Sequence, residues 1–325
     1  MQLRLILSLG LLGVLIYIIS KSLNITDLQS VLWAFPKEQL VLFALISFLI
    51  SLLKSWKFFL ILKQNNVDLS FLSNLKAFLC SQALTPLPGG EMVRSFLIHK
   101  ETGESVLKTT GPVFTQAFLE IFFSALVLII GSFYFNAFRI PSTIVLVLMA
   151  LVTYLIIHPR LLNQLLSYLP KNKWFEKMPE RIQVIQKGIR NGLLDTDHKK
   201  IRPNPILLNL VGLSLMTNFL GGLLLLLIAQ SYNADLNILQ AIYIYSAGIV
   251  IQGVGTVSPG GLGFTEGGMT GLMLLFNIEL SKALASVILF RIVTFFFSII
   301  LGLILMTIFY TKLLHPKYLL REAKA

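Results

Sequence analysis

Apolar residues run along this chain in blocks of about twenty, the length that an α-helix needs to cross a bilayer's hydrocarbon core. Short polar stretches separate them. The pattern predicts six full spans: Leu3–Ser20, Leu40–Leu62, Pro112–Phe135, Ile140–Ile157, Pro205–Gln230 and Ser281–Tyr310. The first resembles a signal sequence, but Ile18-Ile19-Ser20-Lys21 is a poor cleavage site, so it is read as a retained span. Lys54 and Lys57, in the last third of the second span, are expected to snorkel toward the interface, with Trp56 at the same depth.

Two further blocks are interrupted. Phe71–Leu84 is too short to cross and runs into Thr85-Pro86-Leu87-Pro88-Gly89-Gly90-Glu91, followed by a polar-studded segment to Lys100. The block from Leu236 to Phe276 is broken at Ser258–Gly268, where five glycines and a proline fall within eleven residues. Irregular backbone at membrane depth is tolerated only where protein or a water-filled cavity satisfies its N–H and C=O groups. Each block is therefore expected to form a re-entrant or broken Pro-Gly hairpin, the first from the cytoplasmic side and the second from the outer side. Such a pair suggests an inverted repeat, as in transporters whose discontinuous helices meet near the midplane. Chain parity leaves open whether 236–276 is a hairpin or two full spans. The expectation is an all-α polytopic membrane protein, residues 1–325 forming a single integral membrane domain.

Composition agrees. The 325 residues are 55% hydrophobic and only 13% charged, with mean hydropathy +0.79, whereas soluble domains carry roughly 25% charge. The net charge of +12 would point to nucleic acid in a soluble protein, but here the basic residues gather between spans and at the C-terminus. Residues 158–203 form the most basic connection, with ten Lys or Arg against four Asp or Glu between His158 and Arg202. Within it, Trp174, Met178, Ile182, Ile185, Ile189 and Leu193 recur at helical spacing. That stripe fits a basic amphipathic segment on an anionic leaflet, and equally one packed on the ends of the spans. The positive-inside rule then makes this loop and both termini cytoplasmic, in a cytoplasmic (inner) membrane. An anionic lipid head group is the expected partner, and nucleic acid is not. Cys80 is the single cysteine, which excludes an intrachain disulfide and any multi-cysteine metal site.

Ionisable residues inside apolar blocks are the candidates for function, because each costs about 2.5–3.5 kcal/mol at the membrane centre unless compensated. They are Glu91, Arg94, Glu120, Glu266 and Arg291. Opposite charges invite pairing, as Arg291 with Glu266 or Arg94 with Glu120. An arginine left facing a cavity would instead bind a lipid phosphate through its planar fork. Glycine lets backbone approach a ligand closely, and a helix that starts after a break offers free N–H groups to an anion. Gly90, Glu91 and Arg94 at the first break, and Pro259, Gly260, Gly261, Gly263 and Glu266 at the second, with Arg291 beyond it, are the expected substrate-binding residues. Glu91 fits equally well as a first-turn stabiliser of the following helix. Glu120 is a coupling or structural charge, and Glu266 a second candidate for proton coupling. His99, His158, His198 and His315 lie near span ends or in loops without metal-ligand spacing. Asp195-Thr196-Asp197 reads as a solvated turn. No enzyme activity, metal or cofactor is expected.

The two breaks also carry a family resemblance. Leu84-Thr85-Pro86-Leu87-Pro88-Gly89-Gly90-Glu91-Met92-Val93-Arg94 resembles the first signature of the lysylphosphatidylglycerol synthase transmembrane-region (flippase-like) family, roughly T-P-G-R-x-G-E-x-x-R. Pro259-Gly260-Gly261-Leu262-Gly263-Phe264-Thr265-Glu266-Gly267 resembles the second, P-G-G-L-G-x-x-E-G. The first match departs at Leu87 and Pro88, and retains Gly90, Glu91 and Arg94. The resemblance covers nearly the whole chain and implies movement of an anionic phospholipid or polyprenyl-phosphate-linked lipid across the membrane. Its best understood relatives join this region to a soluble aminoacyl-transferase. This chain is expected to act without one, since about fifteen residues follow the last span. Two alternatives stand beside transport: an accessory subunit of lipid-linked glycan assembly, with a lipid-biosynthetic or glycosyltransferase partner, or a membrane-bound lipid transferase.

Overall fold

The computed structural model describes residues 37–86, 90–158, 206–254 and 259–310, with single positions and two short strands between 161 and 203. The expected first span Leu3–Ser20, residues Leu87, Pro88 and Gly89 of the first break, Ser258 of the second, most of the basic segment and the C-terminal tail lie outside the described residues.

The chain is an all-α membrane protein. Helix α1 spans Gln39–Gln64, α2 Phe71–Gln82, α3 Met92–Thr102, α4 Val106–Tyr134 and α5 Arg139–Ile157. Then come α6 (Leu207–Ser231), α7 (Ile238–Val254) and α8 (Phe264–Leu275). The last rod joins α9 (Leu280–Arg291) to α10 (Phe297–Phe309) through a π-helical turn, Ile292–Phe296. Besides helix, the described residues include a two-residue antiparallel ladder in which Leu194 faces Pro203 and Asp195 faces Arg202.

Among the described residues, five helical stretches are long and apolar enough to cross a membrane: α1, α4, α5, α6 and the α9–α10 rod. They coincide with the five predicted spans that fall within the described residues. Large apolar side chains point outward from them, among them Ile140, Leu148, Leu208 and Ile308. In water these would be an unfavourable patch, and against lipid they are the solvent-matched surface. Helix α5 is the most peripheral, with 6% of its apolar stretch buried against 44% in α1, α4 and α6.

One start point differs from expectation. The span predicted from Pro112 begins at Val106, with Pro112 inside the helix. Proline removes a backbone donor and crowds the residue before it, but that residue is Gly111, which has no Cβ to clash. Ser105 caps the true start, accepting from the Lys108 N–H at 3.3 Å.

The interrupted blocks form two helix pairs, α2–α3 and α7–α8, whose outer ends lie at opposite ends of the bundle. The outer ends of α2 and α3 sit with the end of α10, where Tyr310 Oη donates to Glu101 Oε1 at 2.8 Å. The outer ends of α7 and α8 sit at the other pole, where Tyr243 and Phe276 pack with Phe135 and Phe138 after α4. At 1.5 Å per residue, α2 and α3 each rise about 18 Å or less, well short of the ~30 Å hydrocarbon core. Of the expected amphipathic stripe, Ile189 is described and buried, and the neighbouring Gln186 donates to the Leu155 and Ile156 carbonyls at 2.8 and 3.1 Å. Those are last-turn carbonyls of α5 that lack helical partners.

Candidate functional site

The described residues of the two breaks face one space. A cavity of about 440 Å³ opens between them, walled by Gly90 and Glu91 from the first break and by Gly260 and Gly261 from the second. Arg94, Gln116 and Glu120 complete its polar side. A second cavity of about 140 Å³ adjoins it. Lys54, Gln82, Thr85 and Gln252 line both.

Local backbone explains the residue choice. A Cβ on Gly90 would stand 1.6 Å from the Leu84 carbonyl oxygen, so only glycine lets the chain double back over the end of α2. Gly260 has φ +62°, and a Cβ there would strike the Phe295 ring at 2.4 Å. Pro259–Gly261 forms a short 3-10 turn, and Gly261 and Gly263 also have positive φ. Gly260→Val is therefore expected to destabilise the fold by about 1–3 kcal/mol from the backbone strain alone. A lowered melting temperature of the detergent-purified protein checks it, and an unchanged one rejects it.

Glu266 and Arg291 form the pair anticipated from sequence. Arg291 Nε donates to Glu266 Oε1 at 2.5 Å, and Nη2 donates to the Gly260 carbonyl at 3.1 Å. The guanidinium also lies over the Phe295 ring, 4.3 Å from its centroid. Glu266 Oε2 in turn accepts from the Gly263 N–H at 2.7 Å, capping α8. One ion pair thus staples the second break to the α9–α10 rod beside its π-helical turn. Both side chains are less than a sixth exposed. Breaking such a buried pair from one side typically costs about 3–5 kcal/mol. Arg291→Ala is expected to approach that loss in thermal denaturation. Combining Arg291→Met with Glu266→Met should recover part of it, and no recovery would refute the pairing energy.

The other expected pair does not form. Arg94 lies 7% exposed, with Nη1 donating to Gln116 Oε1 at 2.6 Å and Nε to Ser81 Oγ at 3.1 Å. Its guanidinium faces the Phe78 ring at 4.2 Å and the Phe58 ring at 4.9 Å. Glu120 instead pairs with Lys54 at 3.0 Å and Lys57 at 3.6 Å. Gln116, one turn before Glu120, links the groups, because its Nε2 donates to Glu120 Oε1 at 3.3 Å. The lysines do not snorkel. Lys57 is fully buried and also reaches Ser214 Oγ at 3.4 Å, and Lys54 turns into the bundle. A carboxylate at matching depth on α4 holds them there, which a single span's sequence does not reveal. Glu91 is exposed at the start of α3 and makes no side-chain capping bond.

Arg94 is therefore held without being neutralised. Hydrogen bonds from a charged donor contribute about 1.5–3 kcal/mol each, and a desolvated cation–π contact about 2 kcal/mol. Together these offset the insertion cost of about 2.5–3.5 kcal/mol with no carboxylate in ion-pair distance among the described residues. Around the cavities, Lys54, Lys57, Arg94 and Arg291 face Glu120, Glu266 and the exposed Glu91, leaving a net positive interior.

Two opposed helix pairs with glycine breaks at one cavity match the sequence signatures in place. Residues 3–302 match the family described as Lysylphosphatidylglycerol synthase TM region. The chain belongs to that family. It is also similar to the UPF0104 membrane protein MJ1078 of Methanocaldococcus jannaschii, with 26% identity over 223 residues, covering 69% of this chain and 91% of the relative. Both family motifs thus contribute directly to the wall of the cavity. Gln116 and Gln252 escaped the sequence reading, and Lys54 and Lys57 were placed at the interface and not in the site. For the lysines the signal was present, two charges three residues apart within an apolar block beside a span that carries a lone glutamate.

Proposed function

We propose that this protein moves an anionic lipid across the cytoplasmic membrane, both termini cytoplasmic, the head group passing through the cavity between the two breaks. The observation that carries this reading is Arg94: a buried guanidinium with neutral hydrogen-bond partners and no carboxylate within ion-pair distance among the described residues, on the wall of a cavity large enough for a phosphate and its substituent. Ligand pockets typically measure about 300–1,000 Å³, and the larger cavity falls in that range. A lipid phosphate matches the planar fork of arginine. In this reading the acyl chains stay in the bilayer while only the charged part crosses. Opposed helix pairs offer the moving parts, since alternating access in repeat-built transporters is the rocking of one half against the other around a fixed site. The proposed process is transport without chemical conversion of the lipid.

The purified protein in liposomes containing a trace of acyl-labelled phosphatidylglycerol tests this. Dithionite applied outside is expected to quench nearly all the label, against about half in protein-free vesicles, where only the outer leaflet is reached. Labelled phosphatidylcholine is expected to cross more slowly. Quenching that stops at the protein-free level for both lipids overturns the reading.

A further inference from the structure

The α9–α10 rod departs from regular α-helix beside Arg291, and its sequence supplies a reason. Ile292-Val293-Thr294 are three β-branched residues in a row, followed by Phe295-Phe296-Phe297. Side chains with restricted χ1 crowd the preceding turn of an α-helix, and here the backbone takes a π-helical turn over Ile292–Phe296. Two hydroxyls support the turn, Thr294 donating to the Phe290 carbonyl and Ser298 to that of Thr294, both at 2.6 Å. A π turn inside a long helix is a place where helices bend.

The neighbours on either side give that bend a use. Helix α9 packs on α6 and α8, and its Ala283, Val287 and Phe290 share one buried apolar cluster with Met269 and Met273 of α8. Its last residue, Arg291, holds Glu266 and the Gly260 carbonyl. Helix α10 packs on α2 instead, and its Met306 shares a second cluster with Phe78, Leu79 and Ala83. That contact is close at Gly302, where a Cβ would stand 2.6 Å from the Ala83 nitrogen and 2.7 Å from the Leu79 carbonyl oxygen. One arm of the rod is thus fixed to the second break and the other to the helix that leads into the first. Helix α1 also passes between the clusters, with Phe43 and Ile50 in one and Phe58 and Leu62 in the other, but as continuous α-helix. Two packed bodies joined by one straight member and one jointed member can turn against each other as hinged domains do. The turn also has room to bend, because Arg291, Thr294, Phe295 and Ser298 line the 140 Å³ cavity on its inner side.

We propose that the Ile292–Phe296 turn is the joint at which the α2–α3 and α7–α8 pairs move against each other, opening the cavity between the breaks to alternate sides. The inference rests on the lipid-moving reading and supplies its moving part.

Hydrogen exchange of the full-length protein in lipid nanodiscs tests the joint without reference to any cargo. Amides of residues 293–298 are expected to exchange about tenfold faster than those of residues 47–54 in α1. Ser47, Ser51 and Lys54 line the same cavity, so the two segments have the same access to water. Equal protection overturns the joint, whether or not any variant folds. A π turn holds one residue more than an α turn, so deleting Ile292 restores regular helix and leaves both arms facing their partners. Ile292 is 46% exposed and lines neither cavity, so the deletion removes no side chain from the site. The deletion is expected to bring exchange down to the level of α1 and to slow phosphatidylglycerol movement in liposomes about tenfold, with helical circular dichroism unchanged. A deletion variant that keeps fast exchange, or that moves lipid at the native rate, overturns the joint. Fast exchange in the intact protein without lipid movement defeats the lipid-moving reading and leaves the joint standing. Lipid movement with equal protection defeats the joint alone.

Discussion

Replacing Arg94 with alanine is expected to slow lipid movement by roughly tenfold to a hundredfold while leaving the protein folded. The size follows from the loss of one or two charge-assisted hydrogen bonds to a phosphate, each contributing about 1.5–3 kcal/mol. Integrity is expected because Arg94 has no carboxylate within ion-pair distance among the described residues, so its removal strands no opposite charge. Gln116 loses a donor but borders the cavity, where water replaces it, and Ser81 Oγ keeps its own bond to the Phe78 carbonyl at 2.7 Å. Arg94→Lys should fall between the native protein and Arg94→Ala, since it keeps the charge and loses the planar fork. The liposome assay reads the rate, and helical circular dichroism with gel-filtration behaviour reads the fold. Native rates in both variants would remove Arg94 from the phosphate site.

Replacing Glu120 is expected to do the reverse, with stability as the casualty. Glu120 is the one carboxylate within ion-pair distance of both Lys54 and Lys57 among the described residues. Glu120→Leu leaves two cations side by side in the bundle, one of them with no solvent exposure. Removing one partner from a buried ion pair typically costs about 3–5 kcal/mol, so a sharp drop in melting temperature and yield is expected. Adding Lys57→Met to Glu120→Leu removes the more buried of the stranded cations and should recover a measurable part of the loss. A double variant no more stable than Glu120→Leu would show that the trio is not coupled. The contrast with Arg94 is informative: one buried cation is secured by a carboxylate, the other by neutral groups and aromatic rings. The second is the one a transported anion can approach without breaking a salt bridge.

Much of this architecture was legible in the chain because bilayer thickness imposes a length on every crossing helix. The predicted limits of α1, α5, α6 and the α9–α10 rod agree with the structure to within one or two residues. The early start of α4 was hidden by Pro112, whose usual effect is relieved by Gly111. The two breaks were visible as clusters of proline and glycine. Glu266 and Arg291 were recognisable because each is a lone charge in apolar surroundings and the two have opposite sign. Lys54 and Lys57 were misplaced because a lysine near a span's end has the same sequence signature whether it reaches outward to water or inward to a partner.

The limits of the sequence have a common cause. Helices that are apolar nearly all round show little periodicity, so their composition says that they cross and not which face meets which neighbour. Fold class, the five spans within the described residues, the position of both breaks and the residues able to carry charge were determined by the sequence alone, because a low-dielectric solvent penalises every unpaired polar group. Tertiary structure decided that the two helix pairs have their outer ends at opposite ends of the bundle, that the two breaks face one cavity, and that Glu120 serves the lysines. It also left Arg94 without a carboxylate in ion-pair distance among the described residues. Those outcomes depend on helix rotation and depth, which only packing sets.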